Sequence, residues 1–316
     1  MSKKLYSLNN ISILVIGITK DGGKLLEHNI KKLLKLRKYA KTVDFLIYEN
    51  NSAKQTKDIL KSLKEKIACF DYISEDLTAE QIDSICKTKT ENGKPCRIEL
   101  ITYARNVLQQ EAQKRVFAQK RVFAQNTSDC EKYQYILNID LDVLIFNPLD
   151  CLKSLLRFSN TDFDCITGYG MTKWLRYRDA YAFRNVEFPF GPEFMPKFWW
   201  EKTWHQIQQR NPKNLKIPVY SAFGGAALYK SKVYFSSIYN CHPQNEEFLK
   251  IHKNLLQKSN SNSLSEQFKN ASEMPQANTG YTKPIICEHV PFHYKLIDLG
   301  FDKIFIDTSW RFIFKD

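Results

Sequence analysis

The chain has 316 residues, of which 43% are hydrophobic and 26% are charged, and its formal net charge is +13. This composition is typical of a globular protein that buries a sizeable core, and it excludes an intrinsically disordered chain. No apolar stretch is long enough to cross a bilayer, so we do not expect a membrane-embedded protein.

The first part of the sequence alternates strands and helices. An apolar, β-branched run at 11–18 predicts a buried strand, a helix follows at 25–36, and a second strand covers 43–48. A helix at 54–66 and a third strand at 67–73 continue the alternation. This order predicts a parallel sheet with right-handed crossovers, in which ligands bind beyond the carboxyl ends of the strands.

The remaining elements are less regular. The sequence predicts a polar loop or short helix at 74–96, a long helix at 97–124 and a buried strand over the apolar residues 135–137 and 143–145. It then predicts a helix at 149–158, a strand at 165–168, an aromatic and proline-rich irregular region at 174–204, a strand-like stretch at 219–229, a polar segment at 255–280 and a strand at 284–287. No linker divides the chain, so we expect a single domain over residues 1–316.

Two carboxylates interrupt the apolar run around residue 140. Asp140 and Asp142 lie between the apolar residues of a predicted buried strand, so they point the same way if the strand continues or lie together at its end. No lysine or arginine adjoins them in sequence. Burying two neighbouring carboxylates is unfavourable unless a cation holds them together, and a divalent metal with oxygen ligands meets this need. A nucleotide diphosphate would complete the coordination sphere. The alternative is an Asp-x-Asp in an ordinary turn, because such tripeptides are common.

The net positive charge of the chain indicates either an anionic partner or a solvated basic surface. Basic proteins attract nucleic acid, anionic membranes and phosphorylated substrates. A lysine-rich solvated surface and peripheral association with an anionic membrane both stay open as interpretations. We expect no specific nucleic-acid binding, because no basic and aromatic recognition motif is present.

The cysteines and the amino-terminal segment bear on the compartment. The eight cysteines are scattered without a Cys-x-x-Cys pair, which argues against a zinc site or a disulfide framework and predicts reduced thiols. The first residues contain no apolar segment that ends in a cleavage site. We therefore expect a cytoplasmic protein, and contact with the inner face of the membrane is a further hypothesis.

Seven motifs occur in the order found in a known class of enzymes. Four of them resemble the nucleotide-sugar half of GT-A glycosyltransferases: Ile13–Ile18, Tyr48–Ser52, Tyr103–Asn106 and Asn138–Asp142. Three are similar to one group of that class, the capsule-associated α-1,3-mannosyltransferase-like proteins of glycosyltransferase family 69 and their bacterial relatives: Ala180–Arg184, Ser221–Lys230 and Cys287–His293. The resemblance covers residues 11–310.

The resemblance implies a fold and a division of the chain. The fold is the GT-A, Rossmann-like α/β type, with a mixed, mainly parallel sheet flanked by helices. The nucleotide-sugar-binding half would span residues 11–148, and the acceptor-binding half would span 149–316.

The resemblance also implies a metal-dependent transferase. It would move a hexose from a GDP- or UDP-linked sugar to a glycan or a lipid-linked saccharide in surface polysaccharide or lipopolysaccharide synthesis, with retention of anomeric configuration. A sugar-phosphate nucleotidylyltransferase is one alternative, but the turn at 17–23 lacks the arginine of that class. A non-catalytic basic binding protein is the other, and it would not need paired carboxylates at the end of a strand.

The donor would contact residues from four motifs. Glu49 and Asn51 follow the second strand, where the resemblance implies contact with ribose or base, while a helix cap is the alternative. The predicted helix that begins at residue 97 carries two arginines and an asparagine, whose side chains suit a phosphate or a base, while simple solvation is the alternative. The pair Gly224 and Gly225 allows a sugar to approach the backbone closely, while a β-bulge is the alternative. The predicted donor residues are Glu49, Asn51, Arg97, Arg105, Asn106, Asp140, Gly224 and Gly225.

The metal would be Mn²⁺ or Mg²⁺, bound by the two carboxylates. In the resembling enzymes a late histidine often completes the sphere, and His289 or His293 would serve here, which favours Mn²⁺. An ordinary core histidine is the alternative. Glu288 would orient a histidine or act on the acceptor, so the predicted catalytic residues are Asp140, Asp142 and Glu288.

The acceptor would contact the aromatic region after residue 170. Aromatic faces pack on the apolar faces of sugars, and charged side chains hydrogen-bond to hydroxyls. As core residues the same side chains would need no such role. The predicted acceptor residues are Trp174, Tyr177, Asp179, Tyr181 and Arg184.

Overall fold

The structure, a computed structural model, describes residues 5, 8–117, 132–209, 214–258, 274–277 and 280–315. Its strands are β1 (Ser12–Thr19), β2 (Thr42–Asn50), β3 (Phe70–Glu75), β4 (Tyr135–Ile139), β5 (Ile145–Phe146), β6 (Cys165–Met171), β7 (Lys216–Pro218), β8 (Ala226–Lys230) and β9 (Ile304–Ile313). Its helices are α1 (Gly23–Leu33), α2 (Lys54–Lys66), α3 (Ala79–Ile85), α4 (Arg97–Phe117), α5 (Asp150–Phe158), α6 (Lys197–Gln209), α7 (Ser231–Tyr234), α8 (Glu246–Lys258) and α9 (His289–Asp298).

The strands form one mixed sheet in the order β3-β2-β1-β4-β8-β6-β9-β5, and β7 pairs with β9. The strands β3, β2, β1 and β4 are mutually parallel, as the alternation of strands and helices predicts. Next in the sheet, β8 runs antiparallel to both β4 and β6, and β6 then pairs in parallel with β9. The predicted α/β fold with a mixed sheet is confirmed.

Both faces of the sheet are covered by helices, which explains why β1 is apolar between Ser12 and Thr19. Its side chains alternate between the faces. Ile13 and Val15 pack in one cluster with apolar residues of α1, α2 and α5. Leu14 and Ile16 pack in another cluster with residues of α4 and α9. A strand buried on both faces cannot alternate apolar and polar residues, so a continuous apolar run marks it in the sequence.

Helix α1 buries a single face. In α1 the buried apolar side chains are Leu26, Ile30 and Leu33, spaced by four and three residues. This spacing places them on one side of the helix, against the sheet. Helix α4 begins at Arg97 as predicted and is described to Phe117, so the rest of the predicted helix lies outside the described residues.

Some predicted elements are wrong in type or extent. The region predicted as irregular contains α6, which buries Trp200, Thr203 and Ile207 at helical spacing. Residues 284–287 form no strand, and helix α9 begins directly after them. The apolar run at 143–145 does not prolong β4, because the chain turns after Asp140 and only Ile145–Phe146 pairs, with β9.

Two further observations concern the surface and the thiols. Within the described ranges, no helix is long and apolar enough to cross a membrane. The seven cysteines of these ranges are free thiols, and six of them are buried. Cys130 lies outside the described residues.

Candidate active site

The two aspartates lie at the carboxyl end of the central strand β4. Asp140 is the first residue after β4, and its backbone N–H donates a hydrogen bond to the carbonyl of Gly225 at 2.8 Å. This bond ties Asp140 to the turn before β8. The side chain of Asp140 is 27% exposed, whereas Asp142 is exposed. The parallel strands β1 and β2 end at the same edge, so the site lies where ligands bind in such sheets.

Carboxylates surround Asp140. Burial raises the pKa of Asp140 to about 7, Arg105 opposes this rise, and the negative charges of Asp142 and Asp179 add to it. Burial likewise raises the pKa of Asp179 to about 6, although the backbone N–H of Gly224 donates to its carboxylate at 2.8 Å. Charge repulsion among carboxylates is the signature of a site that attracts cations.

Arg105 connects these carboxylates to the helix that begins at His289. Its Nε donates to Glu288 Oε1 at 2.8 Å, its Nη1 donates to Asn138 Oδ1 at 3.2 Å, and its Nη2 lies 3.6 Å from Asp140 Oδ1. The guanidinium carbon lies 4.9 Å from the centre of the Phe223 ring. Burial lowers the pKa of Arg105, but the carboxylates of Glu288 and Asp140 raise it by more, so the side chain stays charged.

The sequence predictions missed two residues that hold this arginine in place. Asn138 accepts a hydrogen bond from Arg105 and donates one from Nδ2 to the hydroxyl of Tyr239 at 3.1 Å. The Tyr239 ring stacks on Phe292 with the ring centres 4.3 Å apart. Asn138 had a signal in the sequence, because it is a polar residue within the apolar run of β4. Tyr239 had none.

Asn106 does not face the aspartates. Its amide donates to the carbonyl of Tyr239 and accepts from the N–H of the same residue, each at 2.9 Å. Both polar atoms of the amide are thereby used to hold the backbone beside Arg105. The geometry therefore does not support the predicted contact between Asn106 and the donor. Arg97 is exposed in the first turn of α4, eight residues before Arg105, and does not take part in the buried network.

Glu49 and Asn51 stabilise the turn after β2. The buried carboxylate of Glu49 accepts from the N–H of Ser52 at 3.1 Å and from the hydroxyl of Ser74. Asn51 adopts a positive φ of 49°, and its amide pairs with the backbone of Leu77. These bonds occupy the groups that were predicted to bind ribose or base, so the geometry favours a role in shaping the loop.

The glycine pair before β8 is required by close packing of backbones. Gly224 and Gly225 have φ values of 62° and 91°. A Cβ on Gly224 would lie 2.1 Å from the carbonyl oxygen of Gly168, and one on Gly225 would lie 2.2 Å from the ring of Phe314. The register shift in this part of the sheet lies beside Gly168, where β6 pairs with β9, and not at residues 224–225, for which a β-bulge was the alternative. The turn holds Asp140 and Asp179 through its backbone.

The two late histidines have different surroundings. Both ring nitrogens of His293 face buried hydroxyls, with Nδ1 at 3.1 Å from Ser221 Oγ and Nε2 at 2.9 Å from Tyr229 Oη. This arrangement argues against His293 as a metal ligand. His289 is buried with no hydrogen-bond partner among the described residues on either nitrogen, and its Nε2 lies 3.5 Å from Glu288 Oε1. Burial lowers the pKa of both histidines, so both rings are neutral.

The described residues contain no ready-made metal centre, because nowhere in them do three side chains of Asp, Glu, His or Cys come close enough to bind one ion. The donor chemistry nevertheless fits a divalent cation at Asp140 and Asp142. Two oxygen ligands leave room for several more, which a diphosphate and water can provide.

Most of the predicted acceptor residues are structural. Arg184 is buried and donates from Nη2 to both carboxylate oxygens of Glu193, at 2.9 Å and 3.2 Å. Tyr177 is buried against Tyr169 and Phe183, and the Tyr181 hydroxyl donates to the carbonyl of Ile285. The prediction that Tyr177, Tyr181 and Arg184 bind an acceptor is therefore not supported. The other two predicted acceptor residues could still meet a ligand, because Trp174 is 74% exposed and the charge of Asp179 acts on Asp140.

Comparison with known proteins identifies the family. The chain belongs to the family described as cryptococcal mannosyltransferase 1, whose model matches residues 13–276. This match runs from the second residue of β1 through β8 and includes both aspartates. It confirms the resemblance to mannosyltransferase-like glycosyltransferases on which the predictions rested. No protein of curated function matches the chain significantly.

Solved structures provide more distant similarities. TarS from S. aureus in complex with UDP-GlcNAc is 9% identical with a TM-score of 0.42, and the match covers 97% of this chain and 59% of TarS 1–349. The mannosyltransferase PcManGT from Pyrobaculum calidifontis in complex with GDP-Man and Mn²⁺ is 9% identical with a TM-score of 0.36, covering 71% of this chain and 46% of that one. A mycobacterial protein is 8% identical with a TM-score of 0.44, covering 99% and 70%.

Proposed function

We propose that this protein is a glycosyltransferase that moves a hexose from a nucleotide diphosphate sugar to a glycan or a lipid-linked saccharide. The observation that carries the proposal is the position of Asp140 and Asp142 at the carboxyl end of β4, beside Asp179 and Arg105. Membership of a mannosyltransferase family supports it and makes mannose the first sugar to test. Residues 11–148 would bind the donor and residues 149–316 the acceptor, within a single domain.

A divalent cation fits the two aspartates. When bound, Mn²⁺ or Mg²⁺ would act as a Lewis acid that stabilises the negative charge of the leaving diphosphate. Asp142 is exposed, so its carboxylate is the one open to an incoming donor. Asp140 is held by the turn at Gly225, so its carboxylate has a defined direction. Of the two late histidines, His289 is the one whose ring nitrogens have no hydrogen-bond partner among the described residues, but it does not lie close enough to both aspartates to form a three-ligand centre with them.

Arg105 would orient Asp140. Its guanidinium is held by Glu288 and Asn138 and is covered by the ring of Phe223, which restricts the side chain to one orientation. Because Glu288 Oε1 accepts a hydrogen bond from Arg105 Nε, we assign Glu288 to positioning Arg105. Asp179, with its pKa raised to about 6, is better suited to hydrogen-bond a hydroxyl of the sugar or the acceptor.

The resemblance to glycosyltransferase family 69 implies that the anomeric configuration of the sugar is retained. The same resemblance implies an acceptor that is used in surface polysaccharide or lipopolysaccharide synthesis. Exposed Trp174 lies on the segment that links β6 to Asp179, so it is placed to meet an acceptor that approaches the aspartates.

Incubating the protein with labelled GDP- and UDP-linked sugars tests this proposal, with Mn²⁺, Mg²⁺ or excess chelator in parallel. Transfer or slow hydrolysis of GDP-mannose that requires the metal is the expected result. NMR of the product anomer distinguishes retention from inversion. Synthesis of a nucleotide sugar from a sugar phosphate would instead indicate a nucleotidylyltransferase. Nucleotide-sugar binding without turnover on any acceptor would indicate a non-catalytic protein.

A further inference from the structure

We infer that the segment 172–176, here called the Trp174 hairpin, and the adjoining edge of the sheet form a surface that contacts an anionic lipid bilayer. The inference rests on the proposed function, in which the acceptor is a lipid-linked saccharide, and it names the surface that brings the active site to that acceptor. Four observations carry it: exposed apolar side chains, backbone strain, charge, and position relative to Asp140.

The hairpin presents large apolar side chains to solvent. Trp174 is 74% exposed and Leu175 is 67% exposed. Across the sheet edge, Ile145 is 59% exposed, and Leu144 is also exposed. The hairpin begins at the same part of the sheet as Ile145, because Ile313 of β9 pairs with Ile145 on one side and with Met171, the last residue before the hairpin, on the other. Ile145 and Met171 are therefore two strand spacings apart, which is about 10 Å.

Leu175 occupies a backbone conformation that disfavours it. Its φ is 61°, in the left-handed region that glycine and asparagine prefer. Its N–H donates to the carbonyl of Thr172, and the N–H of Thr172 donates to the carbonyl of Arg176, so the turn is well defined. A branched side chain in this conformation is strained, and its exposure gains no burial energy in the isolated protein. An environment that buries Leu175 would offset both costs.

The charge of the hairpin matches an anionic surface. Residues 171–178 contain Lys173, Arg176 and Arg178 and no acidic residue. All three are exposed, and the guanidinium of Arg178 lies 4.1 Å from the centre of the Phe314 ring. Arg311 and Lys315, on the adjoining end of β9, are exposed as well. Apolar tips flanked by cations are typical of surfaces that insert into the headgroup region of anionic membranes.

The hairpin leads directly into the active site. Asp179 directly follows Arg178, and its carboxylate accepts from the N–H of Gly224 at 2.8 Å. The carbonyl of the next glycine, Gly225, accepts from the N–H of Asp140 at 2.8 Å, so one turn joins Asp179 to Asp140. A membrane that contacts the hairpin would therefore hold a lipid-linked saccharide close to the proposed metal site. A soluble saccharide that stacks on Trp174 needs neither the strained Leu175 nor the exposed Ile145, which is why the bilayer is the occupant that the observations favour.

The test measures binding of the full-length protein to vesicles without any nucleotide. One set of vesicles contains phosphatidylcholine alone, and the other also contains phosphatidylglycerol. Leu175→Gly relieves the strain at φ 61° and removes the apolar tip. We expect this variant to be at least as heat-stable as the wild type, while its affinity for anionic vesicles falls about three- to tenfold. Arg176→Glu should weaken the affinity about tenfold or more.

Matched controls come from elsewhere on the surface. Ile238 is 74% exposed, like Trp174, and Lys250 is an exposed cation on α8. Ile238→Ser and Lys250→Glu should bind vesicles almost as well as the wild type. Trp174 fluorescence, obtained as the difference between wild type and Trp174→Phe, should shift to the blue on anionic vesicles.

Several results would overturn the inference. They are equal binding to neutral and anionic vesicles, equal losses in the hairpin and control variants, and unchanged binding by Leu175→Gly. A blue shift with soluble saccharide but not with vesicles would assign the hairpin to sugar binding instead. Because the vesicle assay contains no nucleotide, its failure is distinguishable from a failure of the proposed transferase activity.

Discussion

Arg105 donates its Nε–H to Glu288 at 2.8 Å, although 183 residues separate the two in the chain. Both side chains are buried, and Nη2 of the same guanidinium lies 3.6 Å from Asp140. The pair therefore joins α4, the end of β4 and the start of α9 at the candidate active site. A buried ion pair of this kind is strongly coupled, because neither charge has water to replace its partner.

Removing Arg105 alone should be far more harmful than removing the pair. Arg105→Met leaves Glu288 as an uncompensated buried charge, and we expect the free energy of unfolding to fall by about 3–5 kcal/mol. Glu288→Gln keeps an oxygen that can accept from Nε, so its loss should be smaller. Urea unfolding of both single variants and of Arg105→Met/Glu288→Gln completes the cycle. If the two single effects simply add in the double variant, the pair is not coupled as described.

Asp142 should be needed for metal binding and transfer and not for folding. Its carboxylate is exposed, so Asp142→Asn should change the free energy of unfolding by less than about 0.5 kcal/mol. Transfer should fall about 100-fold or more, and the rise in melting temperature that Mn²⁺ causes in the wild type should disappear. Asp302→Asn, at another exposed aspartate, is the matched control and should behave as wild type. Mn²⁺ stabilisation that persists in Asp142→Asn would contradict the metal assignment.

Gly224 should tolerate no side chain. An alanine there would place its Cβ 2.1 Å from the carbonyl oxygen of Gly168, and the φ of 62° adds backbone strain. We expect Gly224→Ala to lower the free energy of unfolding by more than about 2 kcal/mol.

Gly93→Ala separates these two causes. Gly93 has a positive φ of 73°, but a Cβ there meets nothing within 4 Å, so only the conformational cost of about 1 kcal/mol applies. Thermal and urea unfolding of both variants make the comparison. Equal losses at the two positions would mean that the close approach of the backbones at Gly224 is unimportant.

His252 should make the protein sensitive to acid. Its ring stacks on Phe194 with the ring centres 4.5 Å apart, and burial, aided by the charge of Arg184, lowers its pKa to about 3. In the unfolded chain the pKa is about 6.5, so the unfolded state binds the proton first. The stability that the neutral ring provides is present above about pH 6.5 and is lost as the pH falls towards 3.

His252→Phe removes this titration and keeps a flat aromatic ring. Between pH 7.5 and 5, the decrease in the free energy of unfolding should be smaller than in the wild type by about 2 kcal/mol. Buried His289 and His293, whose pKa values are also lowered, should maintain part of the acid sensitivity. Urea unfolding at the two pH values makes the measurement, with His205→Gln as the exposed control. An unchanged pH dependence in His252→Phe would show that its ring is protonated or accessible in the folded state.

The sequence alone determined the features that depend on neighbouring residues. Continuous apolar runs identified the parallel strands β1, β2 and β4, because a strand buried on both faces tolerates few polar side chains. The same logic left two positions for Asp140 and Asp142, within a strand that continues or at its end, and the structure shows that β4 ends before them at Ile139. Ordered motifs were enough to identify the family, because they record local chemistry in a linear order.

Only the tertiary structure decided which polar groups remain available for a ligand. Arg184 is matched by Glu193, His293 by two hydroxyls, and Asn106 by the backbone of Tyr239. A lone arginine, histidine or asparagine in a sequence looks the same whether its hydrogen bonds go to protein or to substrate. The choice is made where α9 meets β8, which brings His293 to the hydroxyl of Tyr229 at 2.9 Å, and where the backbone of Tyr239 meets α4 at Asn106, also at 2.9 Å. Since a buried polar group must find a partner, the fold assigns these side chains to the protein interior and leaves Asp142 at the surface.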